Sequence, residues 1–570
     1  MPRPRTGKIH VGERQEKRKN GDIYVYERVT KYNPETKKTV TVSEKLKGKI
    51  LAGTKEIIPT RPKRSQKESS ETAIRKKTGL TDILEYVGKE SNIDNDIHKS
   101  FSRGEAEKIT SIARYLVATG GQSLTRLESW QVMHETPYVS GISEDVYSKL
   151  FKEVGVNENG MQSYFACRAK SLDTNPVIAY DSTTISTYSE NQIEARQGFN
   201  KDHDGLNTIK LLTLYSVKDH EPIAFTKQPG NVPDVISIQN ALKQIKCFNV
   251  KKPLIVTDNG YYSYDNMAEF FKRNMKFLTL ANTDISWIKT AIDEVKDKIN
   301  LASSICPFDP TIRGVTTTVT RKFKIKKKNK NKDSAEEEFE TITRKLYVHI
   351  FHSFDNAMKK RVLFDSNLLA LKSDLENGKD DFSDAAKKKI EKLFIIKKSK
   401  KSGKVKVEFN EEAIATEYQY LGYFVLVTNQ AMGTFEALSN YRLRERIEEG
   451  YGDHKSSLGG SRPHTWFPDN LKGKLFVQFI ALGYLSFLQK KIKEVKESLA
   501  KNPNEMTKEQ YSKEEKLSRW LKEHSLLQIM DWFDCIETTT VQTANSKIRW
   551  STESVSRDNF FLEKLGVLKK

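Results

Sequence analysis

The sequence contains few of the residues that mark secreted and zinc-binding proteins. It has four cysteines among 570 residues, Cys167, Cys247, Cys306 and Cys535, and no two of them are close together. This spacing fits neither a zinc site nor a disulfide framework and favours a reduced, cytosolic compartment. The basic start of the chain has no apolar segment behind it, so we expect no secretory signal.

Long hydrophobic runs are also missing. The best apolar stretch, Leu475 to Leu488, is interrupted by Gln478 and is shorter than the roughly 20 residues that a membrane-spanning helix needs. We therefore predict that it is a buried core helix, and we expect no membrane partner.

Positive charge is abundant. The chain has 96 Lys and Arg residues against 75 Asp and Glu residues, a formal net charge of +21. Cations that neutralise phosphates release condensed counterions, so a surplus of this size favours a polyanionic partner. Without a membrane, nucleic acid is the expected partner.

Composition divides the chain into six regions. Residues 1–70 are basic, with β-like patches, and are either a DNA-end contact or a basic tail beside a packing subdomain; both interpretations stay open. Residues 71–155 have a helical pattern. Three apolar strands, a helix, a strand, a helix and a strand then follow over 170–282, which is the α/β order of a ribonuclease H fold. Residues 283–415 interrupt it as an insertion subdomain, 416–495 complete the catalytic core, and 496–570 are predicted to be a helical C-terminal region.

Two aspartates follow short apolar strands. Asp181 ends Val-Ile-Ala-Tyr-Asp and Asp258 ends Leu-Ile-Val-Thr-Asp. Ligands bind beyond the carboxyl ends of strands in open α/β sheets, so the two carboxylates are expected to converge. Paired carboxylates suit Mg2+, and two such ions support phosphoryl transfer. The alternative is that each aspartate is an ordinary turn or helix-cap residue.

A later segment predicts a helix with one functional face. At about 100° per residue, Tyr441, Arg444, Glu448 and Lys455 fall within roughly 60° of one another. Such a face offers one carboxylate for a metal ion between an aromatic hydroxyl and two cations suited to phosphates. The alternative is a solvated helix with ion pairs such as Arg444–Glu448.

These motifs resemble those of the DDE transposases of bacterial insertion sequences, in the branch called the insertion sequence four superfamily. Its signature is Tyr, two residues, Arg, three residues, Glu, six residues, Lys, and this sequence matches every spacing. The first-aspartate motif is similar to Tyr180–Thr184 and the second to Thr257–Tyr261; Gly198–His203 and Gly230–Asp234 are similar to connecting motifs. The motifs occur in the family's order over roughly 175–490.

The resemblance implies a ribonuclease H-like core, with a mixed five-stranded sheet flanked by helices and interrupted by a largely β insertion. Catalysis and metal binding would fall to Asp181, Asp258 and Glu448, with Mg2+ as cofactor and Mn2+ able to substitute. The family binds terminal inverted repeats as a dimer, cleaves DNA and joins 3′ ends to target DNA. The DNA contacts would be the three other signature residues and a base-stacking tryptophan of the insertion: Tyr441, Arg444, Lys455 and Trp287.

Three histidines near the motifs, His203, His454 and His464, are interpreted as ordinary hydrogen-bonded or surface residues, because metal-activated water needs no separate base. Two other functions remain open. One is a catalytically silent, domesticated DNA-binding protein that keeps the fold. The other is a ribonuclease H-like nuclease that cuts without strand transfer.

Overall fold

The structure is a computed structural model of the chain. It describes residues 9–18, 21–33, 36, 38–58, 72–326, 339–398, 405–499, 507–542 and 547–568. Contacts divide the chain into two compact units. One comprises Met1–Ile74 and Thr540–Ile548, and the other comprises Arg75–Thr539 and Arg549–Lys570.

The smaller unit contains a three-stranded antiparallel sheet in the order β1-β2-β3. Its strands are rich in β-branched and aromatic residues, which favour extended backbone. The β-like patches predicted within residues 1–70 lie in β2 and β3. The bounds are β1 Ile9–Lys17, β2 Ile23–Asn33 and β3 Lys38–Ile50.

A mainly helical segment follows, as the apolar periodicity of 71–155 predicts. Ser102 caps α3 in a capping box with Glu105, which satisfies otherwise unpaired amide groups at the start of the helix. The bounds are β4 Thr72–Lys77, α1 Gly79–Glu90, α2 Ile93–Ser100, α3 Arg103–Ala118, α4 Leu127–Met133, α5 Glu144–Val156 and α6 Glu158–Lys170.

The centre of the larger unit is a mixed sheet with nine strands among the described residues, in the order β10-β11-β12-β15-β9-β8-β5-β6-β7. The sheet is larger than the predicted five-stranded core, because it continues past β9 through an antiparallel pairing with β15. The bounds are β5 Val177–Ser186, β6 Thr208–Ser216, β7 Glu221–Pro229, β8 Leu254–Thr257, β9 Lys276–Ala281, β10 Ile305–Cys306, β11 Asp309–Lys326, β12 Phe339–Ser353 and β15 Tyr423–Thr428.

The insertion differs from its predicted form in two ways. Its long strands β11 and β12 extend the central sheet, and its described part is as helical as it is extended, so it is not largely β. The stretch 354–376 combines Leu, Lys, Glu and Asp residues, and it forms a helix because its Leu and Lys residues favour one. The remaining bounds are α9 Ser286–Asp293, α10 Lys296–Ile299, α11 Phe354–Glu376, α12 Asp384–Leu393, β13 Phe394–Lys398, β14 Val405–Phe409 and α13 Glu411–Tyr418; the helices between the core strands are α7 Asp234–Cys247 and α8 Tyr264–Lys272.

The apolar stretch Leu475–Leu488 lies within the helix α16, Pro468–Ser498, and is buried, as predicted. By length and composition this helix could cross a membrane, but 83% of its most apolar window is buried inside the protein. The last region is not wholly helical, since Thr538, Thr539 and Thr540 favour the strand that they form. The bounds in this region are α17 Lys508–Glu523, α18 Leu526–Asp534, β16 Glu537–Gln542, β17 Lys547–Thr552 and α19 Ser556–Leu565. Between β15 and α16 lie the two helices α14 Thr434–Arg442 and α15 Glu445–Gly452.

Candidate active site

The two aspartates lie side by side at one edge of the central sheet. Strands β5 and β8 are parallel neighbours, with Tyr180 opposite Thr257, so Asp181 and Asp258 are the next residues on adjacent strands. Adjacent strands are about 4.8 Å apart. The sequence prediction that the two carboxylates converge therefore agrees with the strand register.

Alternation along β5 explains where Asp181 points. Val177 and Ala179 belong to the apolar cluster that includes residues of α14 and α15, whereas Ile178 and Tyr180 belong to the cluster on the other face. Successive side chains of a strand alternate between faces, so Asp181 shares the face of α14 and α15. That placement brings the later motif over the aspartates.

Asp181 is buried, and burial raises the pKa of its carboxyl to about 6, although Lys201, the backbone amide of Ser182 and Arg444 oppose the shift. Its Oδ1 accepts a hydrogen bond from the Ser182 amide at 2.8 Å. Asp258 is half-buried and accepts from the Asn259 amide at 2.8 Å, which caps a short helical turn. Because burial makes the Asp181 carboxylate costly to ionise, a nearby cation would stabilise its charged form strongly.

The later motif is not one continuous helix. The helix α14 ends at Arg442 and α15 begins at Glu445, and a π-helical turn, Asp453–Ser457, follows. The break arises because amides at 444, 446 and 447 bond three residues back, for example Arg444 N to Tyr441 O at 2.9 Å. The prediction of a single helix face was wrong, but the segment still brings Tyr441, Arg444 and Glu448 to the aspartates.

Direct contacts join the two motifs. The Tyr441 hydroxyl donates to Asp258 at 3.1 Å. The Arg444 guanidinium donates to Asp181 at 3.3 Å and pairs with Glu448 at 2.9 Å. The Tyr451 hydroxyl donates to the backbone carbonyl of Asp181 at 2.6 Å. Arg444 is thus the cation that links the first and third of the predicted acidic residues.

The electrostatics of Arg444 and Tyr441 follow from this contact. Burial lowers the pKa of Arg444, but Tyr441, Asp258, Asp181 and Glu448 together outweigh it and raise that pKa. Burial, and then the charge of Asp258, raise the pKa of the Tyr441 hydroxyl. Among the described residues, the buried Arg444 Nε has no hydrogen-bond partner, so this arginine keeps a donor available for a further acceptor.

Lys455 lies in the π-helical turn and pairs with Asp202 at 3.1 Å. The loop that contains Asp202 also supplies Lys201, whose Nζ donates to the backbone carbonyl of Ser182 at 2.8 Å. The sequence shows a motif at 198–203 but predicts no role for Lys201. Only the fold shows that this loop contacts β5 next to Asp181.

Residues 173–483, more than half of the chain, match the family model described as "Transposase DDE domain". The chain belongs to the DDE transposase family. DDE transposases are DNA transposases that generally use divalent metal ions, and the positive charge of this one suits a DNA partner.

No curated protein matches this transposase. Among solved structures it is similar to a piggyBac transposase, studied by cryo-electron microscopy in a synaptic complex with hairpin DNA. The sequence identity is 10% and the TM-score 0.36, over 78% of this chain and 81% of that chain.

The acidic residues of this transposase fit a divalent cation in part. Asp181 and Asp258 are adjacent oxygen ligands of the kind that Mg2+ prefers. Glu448 has a half-exposed side chain that is engaged with Arg444. Within the described ranges, no group of three His, Cys, Asp or Glu side chains lies close enough together to hold a metal ion. A metal site that included Glu448 would need this carboxylate to exchange Arg444 for the cation.

The remaining sequence-predicted residues lie elsewhere in the transposase. Trp287 is half-buried on α9, with the Arg321 guanidinium 4.9 Å from its ring centroid. His203 and His464 are exposed, as predicted. His454 is different. It is 2% exposed, and neither ring nitrogen has a hydrogen-bond partner in the part of the chain that the structure describes, so its interpretation as a hydrogen-bonded or surface residue was wrong.

Proposed function

We propose that this chain is the transposase of a bacterial insertion sequence of the insertion sequence four superfamily. It binds the terminal inverted repeats of its element, cleaves the DNA and joins the freed 3′ ends to target DNA. The observation that carries this proposal is the contact of Tyr441 with Asp258 and of Arg444 with Asp181 and Glu448. Residues far apart in the sequence thereby form one acidic, cation-bounded site.

Asp181, Asp258 and Glu448 are the residues that would hold Mg2+, or Mn2+ in its place. When bound, two such ions activate an attacking oxygen and stabilise the leaving oxygen in phosphoryl transfer. Asp181 lies in the middle of the fully buried strand β5, which fixes the position of its carboxylate. Rigid placement of this kind supports catalysis because reacting groups lose little freedom on binding.

Tyr441, Arg444 and Lys455 are proposed to bind phosphates beside the cleaved bond. Arg444 and Lys455 pair with carboxylates in the structure. A DNA phosphate would replace a carboxylate partner with another acceptor of the same charge, and arginine suits bidentate phosphate contact. Trp287 is retained as a proposed base-stacking residue.

The proposal extends to the fold and the assembly. The five strands at one end of the sheet have the order β7-β6-β5-β8-β9. Strands β5, β8 and β9 are parallel, β6 is antiparallel to β5, and β7 is antiparallel to β6, which supports a ribonuclease H-like core. We assign residues 1–70 to DNA-end contact. We also propose that the protein acts as a homodimer on DNA ends, in the cytoplasm, on the nucleoid.

The test is cleavage and strand transfer on the element's own terminal DNA with added Mg2+. We expect the Glu448→Gln variant to lose cutting by at least about 100-fold, because a neutral amide is a poor ligand for a hard cation, while binding to the ends is retained. The matched control is Glu449→Gln, an exposed neighbour on the same helix, which should cut like the parent.

Each other outcome points to a specific error. Full cutting by the Glu448→Gln variant would remove that residue from the site. Specific end binding without cutting by the parent would identify a silent DNA-binding protein. Cut ends that are never joined to a second DNA would identify a nuclease.

A further inference from the structure

A cavity of about 660 Å³ lies between the helical segment that follows β4 and the loop that follows the π-helical turn. Its walls come from the end of α3 and the turn after it, from α5, from residues 458–467 and from the first half of α16. The proposed metal ligands, Asp181, Asp258 and Glu448, do not line it. The cavity is therefore a feature that the proposed cleavage chemistry does not use.

Close contacts join the walls of this cavity. A Cβ atom on Gly121 would lie 2.3 Å from the backbone nitrogen of Gly459, so the turn after α3 and the loop 458–467 touch through their backbones. The Asn470 side chain donates to the backbone carbonyl of Ser148 at 2.9 Å and joins α16 to α5. Walls that are joined in this way make a preformed cavity, which is the usual state of a ligand site.

The cavity wall carries a lysine that, among the described residues, has no carboxylate partner. The Lys474 Nζ donates to the backbone carbonyl of Pro463 at 2.7 Å. Burial lowers the pKa of this lysine to about 8, and no nearby carboxylate opposes the shift. A partly buried ammonium group without a counter-ion is costly, because it has lost water without gaining an opposite charge. An anion inside the cavity would remove that cost.

Arg462 supplies a second cation to the same cavity. Its Nη2 pairs with Asp204 at 2.7 Å, whereas its buried Nη1 has no hydrogen-bond partner within the described ranges. The described lining contains one acidic residue, Glu144. Two cations against one carboxylate favour an anionic ligand, and arginine and lysine side chains are both suited to phosphate.

A second cavity, of about 890 Å³, lies beside α15 and the end of α14 and shows the contrast. The part of its lining that the structure describes balances three cations with three carboxylates: Arg442, Arg446 and Lys493 against Glu445, Glu449 and Asp453. This second cavity therefore has no preference for an anion. The surplus of positive charge belongs to the cavity of Lys474.

Aromatic side chains also line the cavity of Lys474. Trp466 and Phe467 are 61% and 60% exposed. Tyr147 and Phe151 are less exposed, and their ring centroids lie 5.8 Å apart. Flat rings of this kind offer a stacking surface to any nucleic-acid base, since every base has a π-face. An inorganic phosphate or a lipid headgroup would use the cations but not the rings.

The cavity adjoins the proposed DNA contact at Lys455. Leu458, three residues after Lys455, lies on its wall. Lys455 and Arg462 pair with Asp202 and Asp204, which belong to one loop. A DNA strand with a phosphate at Lys455 would therefore run close to the cavity.

We propose that this cavity binds a nucleotide, with the phosphate on Lys474 and Arg462 and the base stacked on Trp466. The nucleotide is either free or an unpaired residue of a DNA strand, and both have the same chemistry, a phosphate carried by a planar base. The DNA source rests on the proposed function, whereas the free source does not. Neither requires a metal ion, so binding is measured independently of cleavage.

The first experiment compares two duplexes of unrelated sequence, one blunt and one with a short single-stranded extension. Their binding to the full chain is measured by fluorescence anisotropy without Mg2+. We expect the parent to bind the extended duplex about 10-fold more tightly, since a stacked base and a phosphate contact are added. Trp466→Ala and Lys474→Met should each remove most of that preference, whereas Trp466→Phe should keep it because an aromatic ring is retained.

The chain offers a matched control for each variant. Lys472 is on the same helix as Lys474 but outside the cavity, and it pairs with Glu158 at 2.6 Å. Trp550 is 46% exposed on β17, also outside the cavity. Lys472→Met and Trp550→Ala should both keep the preference of the parent. Circular dichroism spectra like that of the parent will verify that the variants fold.

The second experiment identifies the source of the nucleotide. Isothermal titration calorimetry measures the binding of deoxythymidine monophosphate, thymidine and inorganic phosphate to the full chain. A site for a free nucleotide should bind the monophosphate at least about 10-fold more tightly than thymidine or phosphate, because only the monophosphate uses both the rings and the cations. Trp466→Ala and Lys474→Met should lose this binding. A preference for the extended duplex without measurable binding of the monophosphate would assign the cavity to a DNA strand.

Three results would overturn the proposal. The first is a parent that neither prefers the extended duplex nor binds the monophosphate. The second is a preference that survives both Trp466→Ala and Lys474→Met. The third is measurable binding of inorganic phosphate that is as tight as that of the monophosphate, which would identify a simple anion site. A parent that cuts no terminal DNA but shows the expected binding differences would contradict the proposed function and support the nucleotide site.

Discussion

At the scale of single residues, Arg444 organises the candidate site. It contacts Asp181 and Glu448, and its charge acts on Asp258 and Tyr441 as well. A buried guanidinium beside carboxylates holds their charges in place where water is scarce. The same arrangement explains why the three carboxylates do not form a ready metal cage. Arg444 is bound to two of them, so under the proposed function a cation at this site would bind together with a change of partners.

His454 gives a prediction on stability. Burial, followed by the charges of Lys455 and Lys474, lowers the pKa of its ring to about 4. In the unfolded chain the ring titrates near its ordinary value of 6.5, so between pH 6.5 and 4 the unfolded state binds more protons. The parent should therefore lose up to about 3 kcal/mol of stability from this group as the pH falls through that window. Urea unfolding of the His454→Leu variant and of the parent over this pH range measures the contribution of His454 to the free energy of unfolding.

The difference in free energy of unfolding between His454→Leu and the parent should grow steadily from pH 7 to pH 4. His98→Leu is the control, because His98 is exposed on α2, and its difference should stay nearly constant. A pH-independent difference for the His454→Leu variant would show that the ring is hydrated or hydrogen-bonded.

The sequence predicts some of the site at this scale and not the rest. Asp181 and Asp258 could be placed because each follows a short apolar run, and the alternation of a strand fixes the direction of its side chains. The run before Asp181 is only the first part of β5, which continues to Ser186. The contacts of Lys201 and Tyr451 with the middle of β5 could not be placed. They depend on the path of a loop and on the packing of α15, which no local pattern encodes.

At the scale of elements, α5 and α16 approach so closely that their backbones nearly touch. A Cβ atom on Gly155 would lie 1.9 Å from the carbonyl oxygen of Asp469, and one on Gly473 would lie 1.9 Å from that of Phe151. Two glycines on facing helices thus make reciprocal contacts. The two glycines therefore allow α5 to pack closely against α16.

Gly473→Ala is expected to destabilise the protein by about 1–3 kcal/mol, because the backbone of α5 must move to admit the methyl group and closely packed interiors resist such insertion. Thermal unfolding measures the change. Gly104→Ala is the control, since nothing lies within 4 Å of a Cβ at that helical position. That variant should be as stable as the parent or more stable by up to about 1 kcal/mol. Equal stability of the two variants would mean that the helices separate easily.

The elements also show the limits of periodicity. The helix predicted after residue 440 is broken near Leu443, because three amides bond three residues back and shift the later side chains around the axis. Strands β11 and β12 were expected in a separate insertion, yet β12 pairs with β15 of the core. Strand partners are chosen by tertiary contacts, so the sequence indicated the strands but not the sheet to which they belong.

At the scale of the whole molecule, the net charge of +21 determines how the protein meets DNA. Many of the lysines and arginines already pair with carboxylates on the surface, as Lys455 does with Asp202. Surface pairs of this kind contribute little to stability and exchange readily for another anion. The surplus cations therefore supply affinity for phosphates without regard to base sequence.

The affinity for terminal DNA should fall linearly on a log–log plot against salt concentration, with a slope set by the number of phosphates neutralised. Lys455→Ala should reduce that slope by about one, on the element's own ends and on unrelated duplexes alike, because a phosphate contact carries no base information. Lys387→Ala, an exposed position on α12, serves as the control and should leave the slope unchanged. Fluorescence anisotropy over a salt series measures both. An unchanged slope for Lys455→Ala would remove this lysine from the phosphate contacts, and binding insensitive to salt would contradict the electrostatic account of DNA recognition.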